Sequence, residues 1–258
     1  MIRKTTNQRE EEILRELARV GGSCRVSALA RQLGVTNETI RRNVRTLEDR
    51  NIVRKVYGGV HLVEDILEPT LENRLTREVD AKTRIARAVA GTISDGDSLF
   101  LDIGSTTAYV ALALQSHSNL FVATNSVFVA QTLATRNNNK VFMAGGELRS
   151  HDGGAFGAEA HDFIRRLNVR FAVFSVGAVN AEQGFLLHDM QEANLADLAM
   201  DRAQVRVVVA DGEKLGKRAP ITMQRQERID LMFTDTPPSA AISAMLDDKE
   251  IELVVAES

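Results

Sequence analysis

With 258 residues, 44% hydrophobic and 26% charged, the chain has room for one large domain or for a small and a medium one, and its balance is that of an ordinary globular protein. The absence of an apolar run of spanning length and of a signal-peptide core at the start argues against a membrane partner, and the lone Cys24 rules out an intramolecular disulfide framework, so a reducing cytoplasm is expected. The net charge of −3 conceals an asymmetry: residues 1–60 carry 13 basic and 7 acidic side chains, the rest 19 and 28, which confines expected polyanion contact to a basic head on an acidic body.

The chain opens with Asn7-Gln8-Arg9-Glu10, a capping-box pattern, followed by Ile13, Leu14, Leu17 and Ala18 at helical spacing, with Gly21-Gly22 placed to end that helix. Cys24 and Val26 alternate with polar neighbours as in a short strand, Cys24 serving as a small half-buried apolar residue rather than a nucleophile. Residues 26–33 read as a short helix and Gly34-Val35 as a tight turn. In residues 35–50, Ile40, Val44 and Leu47 form one apolar stripe, Glu38, Arg41, Arg42 and Arg45 lie opposite it, and Thr36 is placed to cap the start. Two helices, a glycine turn and a basic outer face describe a helix-turn-helix whose second helix enters a major groove. A surface helix with solvated charges is the plainer source of such a run. Three arginines on one face favour DNA. Residues 52–63 then alternate on either side of Gly58-Gly59, a hairpin signal that makes a wing.

Double-stranded operator DNA is therefore the expected partner of Thr36, Asn37, Thr39, Arg41, Arg42, Arg45, Lys55 and Tyr57. Arg42 and Arg45 are assigned to the groove and Arg41 to the backbone, while Arg54, Lys55 and Tyr57 of the wing are placed to reach phosphates or an adjacent groove. For Tyr57, a DNA contact and packing of the ring on the wing base are equally weighted. Residues 9–62 resemble the winged head of DeoR-type bacterial regulators, through Arg9, Ile13, Leu14, Val26, Leu29, Ala30, Val35, Thr39–Arg42, Leu47, Glu48, Gly58 and Gly59. The chain departs from that pattern at Thr36, where serine is usual. Asn43-Val44 stands in place of Asp-Leu, which removes a carboxylate partner for the arginines, and Lys55-Val56-Tyr57 stands in place of Arg-x-His.

Residues 64–79 are acidic and contain Pro69, as a linker would, so the domains are expected at 1–63 and 80–258. Asp80 is placed to cap a helix carrying Ile85, Ala86, Val89, Ala90 and Ile93, and Asp95-Gly96-Asp97 to turn. Strand-like runs follow at 98–103, 120–124, 140–144, 171–176, 205–210, 229–234 and 251–256. Helical patterns lie between many of them, at 106–114, 127–135, 158–167, 190–203 and 239–246. Such alternation predicts an α/β fold with a mainly parallel sheet, and ligands of such sheets bind beyond the strand carboxyl ends. There the chain places Asp102, Gly104, Ser105, Thr106 and Thr107 at a helix start suited to an anion. Thr124-Asn125, Gly145-Gly146, Ser175 and Gly177 occupy the next ends, and Lys214 adds a cation at the same edge.

The resemblance extends over roughly residues 80–235 and implies a sensor domain related to ribose-5-phosphate isomerase. The family's strand-end motifs map onto Asp102–Thr107, Thr124-Asn125, Gly145-Gly146 and Glu213–Gly216, with one extra residue between Asp211 and Lys214, and Glu192 falls near a carboxylate of the isomerases. It implies a phosphorylated sugar or sugar alcohol as effector. An isomerase is the rival reading, with Asp102, Glu192 and Lys214 as acid–base groups, but residues 175–180 lack the acidic cluster that those enzymes carry. The pairs His151-Asp152, His161-Asp162 and His188-Asp189 lack metal-ligand spacing, although His188 is conceivable near sugar hydroxyls. Gly145-Gly146 and Gly153-Gly154 do not form a dinucleotide fingerprint, and the second pair reads as a flexible loop or a lid. A DNA-binding protein with an oligomerising body and no ligand is the third class. The expectation is a cytoplasmic, ligand-controlled repressor of a sugar or sugar-alcohol operon, not an enzyme, without cofactor or metal, and a homodimer or homotetramer.

Overall fold

A computed structural model describes residues 7–20, 23–50, 52–62 and 69–257. The chain divides into two compact units, Met1–Ile66 and Leu67–Ser258. In the first, helix α1 (Gln8–Arg19) starts in a reciprocal capping box: the Glu10 N–H donates to Asn7 Oδ1 at 2.9 Å and the Asn7 N–H to Glu10 Oε2 at 3.0 Å. Gly21, Gly22 and the Ala18 side chain lie outside the described residues. Strand β1 (Ser23–Arg25) runs directly into α2 (Val26–Gln32), so Val26 opens a helix instead of extending the strand, one turn ahead of the buried Leu29 and Ala30. Gly34, at φ +63°, makes the turn that α3 (Asn37–Asp49) follows.

Strands β2 (Val53–Val56) and β3 (Gly59–Leu62) form the wing, turning at Tyr57 and Gly58, and β3 lies between β1 and β2 in an antiparallel sheet. The core is Ile13, Leu17, Leu29, Ile40, Val44, Leu47, Val53 and Val60, all almost fully buried, and each leucine or isoleucine contributes about 1.5–3 kcal/mol. Asn43 faces inward from α3, donating to the Thr39 carbonyl (2.8 Å) and accepting from Asn7 Nδ2 (3.3 Å). Arg50, at the end of α3, pairs at 3.1 Å with the buried Glu10.

The second unit begins with α4 (Leu71–Leu75) and α5 (Val79–Ala90), then β4 (Ser98–Leu101), α6 (Ser105–Ala113), β5 (Phe121–Thr124), α7 (Val127–Leu133), β6 (Lys140–Met143) and α8 (Ala158–Ile164). It continues through β7 (Val169–Ser175), β8 (Ala178–Asn180), β9 (Gly184–Leu187), α9 (Met190–Met200), β10 (Ala203–Val209), β11 (Ile221–Thr222), β12 (Leu231–Thr234), α10 (Ala240–Asp248) and β13 (Glu252–Val255). Seven strands pair in the order β13-β12-β10-β7-β4-β5-β6, all parallel. Alternate residues face opposite layers: Leu99 and Leu101 pack toward α5, α6 and α7, while Phe100, between them, packs with the layer of α8, α9 and α10. Burial on both faces is why these strands read as near-continuous apolar runs.

Three features differ from expectation. Residues 71–75 of the expected linker form α4, Val79 opens α5, and the stretch belongs to the second unit, where Leu71 and Arg74 are buried and the Tyr109 hydroxyl donates to the Leu75 carbonyl (3.0 Å). Asp80 lies in the first turn of α5 rather than at its cap, which is Glu78 at φ +47°. A small antiparallel sheet, β11-β9-β8, was not foreseen, since its strands of two to four residues are too short to show a period. Among the described residues no helix is long and apolar enough to cross a membrane.

Candidate DNA interface and ligand site

On α3, Arg41, Arg42 and Arg45 are all exposed, on the side away from the buried Ile40, Val44 and Leu47. Thr36 caps the helix, accepting from the Thr39 N–H (3.2 Å), and the two hydroxyls lie 2.9 Å apart. Asn37 is exposed and Thr39 half-buried. Glu38 stands 3.9 Å from Arg41, and both are highly exposed, too loose a pair to hold that arginine away from a phosphate. The wing is more committed. Glu48 accepts from the Lys55 N–H (3.0 Å) and pairs with its ammonium, and these hydrogen bonds hold the Glu48 carboxyl below its usual range. Tyr57, at the hairpin turn, is fully exposed, so its ring does not pack on the wing base.

At the carboxyl edge of the parallel sheet, Asp102 follows β4 and is 2% exposed. Its Oδ1 accepts from the Ile103 N–H at 2.7 Å, but burial and the neighbouring Glu192 push its carboxyl well above the ordinary aspartate range, against the opposing pull of that bond, Arg149 and Asn125. Asn125, at the end of β5, is wholly buried. Neither Oδ1 nor Nδ2 has a partner in good hydrogen-bond geometry among the described residues, although the amide lies close enough to Asp102 to favour its charged form. Gly104 precedes α6, where an added Cβ would fall 1.9 Å from Ser175 Oγ, so the ends of β4 and β7 meet only because that residue has no side chain. At Gly177 an added Cβ would strike the His188 ring at 2.7 Å. Ser105, Thr106 and Thr107 are buried in the first turn of α6, where free N–H groups and the helix dipole favour an anion.

Arg149 joins this edge, 15% exposed, and sequence reasoning passed over it. It pairs with Asp152, Glu192 and, at 3.3 Å, Asp189, and its guanidinium lies 4.3 Å from the centre of the Phe156 ring. Burial works against its charge, but Asp152 and Glu192 outweigh it and raise its pKa. The available signal was Gly145-Gly146-Glu147-Leu148-Arg149, an arginine just past the glycine end of the third strand. Two threonines have prior engagements: Thr107 donates to the Gly104 carbonyl (3.1 Å), and Thr124 donates to the Leu101 carbonyl (2.6 Å) while accepting from the Ser126 N–H (3.0 Å). Gly145 and Gly146 are exposed.

Lys214 stands in a second charged group, acting with Lys82 on the buried Asp211, and is not among the groups acting most strongly on Asp102. Gly153-Gly154 is tied into the sheet end rather than free, with Gly154 bridged to Ser126 and packed against Phe156 and Ile103. His151 lies 3.6 Å from Asp152, and no cluster of metal-ligand type occurs among the described residues. A cavity of about 710 Å³ opens elsewhere, between α5 and α6 near Arg87, Tyr109, Leu112 and His117. The buried polar groups Asp102, Asn125, Ser105, Thr106 and Thr107 lie instead at the strand edge.

Residues 9–65 match the DeoR-like helix-turn-helix domain and residues 77–236 the DeoR C terminal sensor domain. The chain belongs to the DeoR family. It is 32% identical over 246 residues to the glycerol-3-phosphate regulon repressor of Escherichia coli, covering 95% of this chain and 97% of that protein. To the transcriptional repressor CsqR of the same organism it is 32% identical over 251 residues, with 97% and 96% covered. Among solved structures, ribose 5-phosphate isomerase A from Methanocaldococcus jannaschii aligns at TM-score 0.38 and 18% identity over 53% of this chain and 54% of that one. The sorbitol operon regulator SorC from Klebsiella pneumoniae aligns at TM-score 0.34 and 11% identity over 81% and 90%. The first unit is thus a DNA-binding head of DeoR type, followed by a parallel α/β domain that the family uses as a sensor.

Proposed function

We propose that the chain is a transcriptional repressor of a carbohydrate operon, controlled by a phosphorylated sugar or sugar alcohol bound at the carboxyl edge of its parallel sheet. The observation that carries this reading is the edge itself: a wholly buried Asn125 amide beside Asp102 and Arg149, next to the anion-favouring start of α6. A polyol with a phosphate suits that mixture. Its hydroxyls complement the amide and carboxyl, and its phosphate suits backbone N–H groups at a helix start. A regulator is favoured over an isomerase because Arg149 engages the Glu192 that neighbours Asp102, and Lys214 acts on Asp211 and not on that pair, so the three acid–base groups of the rival reading do not act together. Paired heads on a symmetric homodimer or homotetramer would read paired half-sites.

Melting of the full chain against sugar phosphates, glycerol 3-phosphate included, with each unphosphorylated parent as control, tests the reading. A ligand at 100 times its Kd adds about 2.7 kcal/mol of stability. One phosphorylated compound should shift the melt while its parent does not, and the same compound should change operator affinity. Silence across the panel would remove the effector and leave the DNA-binding head.

A further inference from the structure

The loop that brings Arg149 and Asp152 to the candidate edge also holds the first helix of the second unit. Residues 148–155 form a closed hairpin: Leu148 bridges Ala155, the Arg149 N–H donates to the Gly154 carbonyl, and the Gly153 N–H returns to the Arg149 carbonyl, both at 2.8 Å. Its base is fastened to the end of β5, where the Ala155 N–H donates to the carbonyl of Asn125 at 2.8 Å. At its tip, between Arg149 and Asp152, the His151 carbonyl accepts from the Leu71 N–H at 3.1 Å. Leu71 is the first residue of α4, and that N–H has no partner within its own helix.

Five residues are too few to hold a helix by themselves. The tethers of α4 therefore decide its position. Beyond the Leu71–His151 bond, the Lys82 ammonium donates to the carbonyls of Arg74 (2.7 Å) and Arg77 (2.6 Å), and Tyr109 of α6 holds the Leu75 carbonyl. Two of these tethers thus lead to the loop carrying Arg149 and to the helix whose first turn opens at Ser105. In the other direction the chain leads from α4 to the winged head.

We propose that α4 is the relay between effector and DNA: a ligand that draws Arg149 from Asp152 and Glu192 shifts the 148–155 hairpin, loosens the Leu71–His151 bond and changes operator affinity. This rests on the reading of that edge as the effector site. Coupling of this kind requires an element that both events bias, and α4 is bonded to one and continuous in sequence with the other.

The test is a double-mutant cycle that needs no effector, using the full chain and an operator duplex selected from random DNA. Leu71→Ala keeps the N–H, whereas Leu71→Pro removes it at a position where proline fits a helix start and where Thr70, at ψ 151°, tolerates a following proline. Both lose the same buried side chain, so their difference reports the bond. Arg149→Gln is introduced into each. The expected result is that Arg149→Gln changes operator Kd by about fivefold or more in the Leu71→Ala chain and by less than about twofold in the Leu71→Pro chain. In the otherwise unaltered protein, Arg149→Gln should speed exchange of the Leu71 amide by about tenfold. Equal effects of Arg149→Gln in both chains, with unchanged Leu71 exchange, overturn the relay. A coupled cycle beside a silent sugar-phosphate panel supports the relay and places the failure in the choice of ligand class.

Discussion

At the scale of single residues, the head and the strand edge use charge in opposite ways. Arg42 and Arg45 are exposed, their guanidinium forks shaped to meet base edges or phosphates, whereas Lys55 is already paired with Glu48. Arg45→Ala should therefore relax sequence preference, with a discrimination loss of about 1–3 kcal/mol at one base pair. Lys55→Ala should weaken binding to all duplexes and reduce the salt slope by about 0.9. Anisotropy titrations on operator and scrambled DNA at several salt concentrations separate the two, and equal losses on both duplexes from both variants would refute that division. At the strand edge the decisive residue has no side chain. Gly104→Ala should destabilise by about 1–3 kcal/mol through overpacking against Ser175, and Ser175→Gly in the same chain should restore part of that loss in denaturant melts.

Elements show how far local patterning reaches. The Asn7–Glu10 capping box, the Thr36 cap and the Gly34 turn are each legible because they depend on residues within one helical turn of one another. Thr36→Ala should cost about 1 kcal/mol by leaving an N–H of α3 without its acceptor. It should lower the head's melting temperature by about 4–8 °C, and Thr36→Ser, the residue usual in the family, should leave it nearly unchanged. The parts of the wing and linker that escaped prediction depend on distant partners. Whether Tyr57 packs or protrudes is decided by how the hairpin twists, and α4 is a helix because Lys82, Tyr109 and His151 hold a five-residue segment with little helical pattern of its own.

For the molecule as a whole, the buried carboxyls of the strand edge tie stability to pH. Asp102 has a raised folded-state pKa, so its favourable contribution is complete below the unfolded value of about 3.9 and is lost as pH rises through the folded value. Asp152, whose pairing with Arg149 prevails over burial and lowers its pKa, contributes in the reverse direction, losing its share as pH falls. Asp102→Asn should therefore raise the melting temperature at pH 7 and flatten the decline in stability as pH rises above the unfolded value and, on the proposed function, weaken effector binding. A lower melting temperature at pH 7 would show that the charge is better accommodated than its burial implies.

Much of this molecule is written locally. Seven strand-length apolar runs separated by helical patterns already require a covered parallel sheet, because a strand buried on both faces has no polar side to show. The arginine face of α3 follows equally from helical spacing, as does its cap. The spatial order β13-β12-β10-β7-β4-β5-β6 does not, since any strand of similar composition makes the same backbone bonds, and crossovers and packing choose its neighbours. That order sets β7 beside β4, bringing Ser175 against Gly104, while long-range packing brings Arg149 and Glu192 together near Asp102. A candidate site of this kind is a meeting of chain segments far apart in sequence, and side-chain periodicity carries no record of which segments will meet.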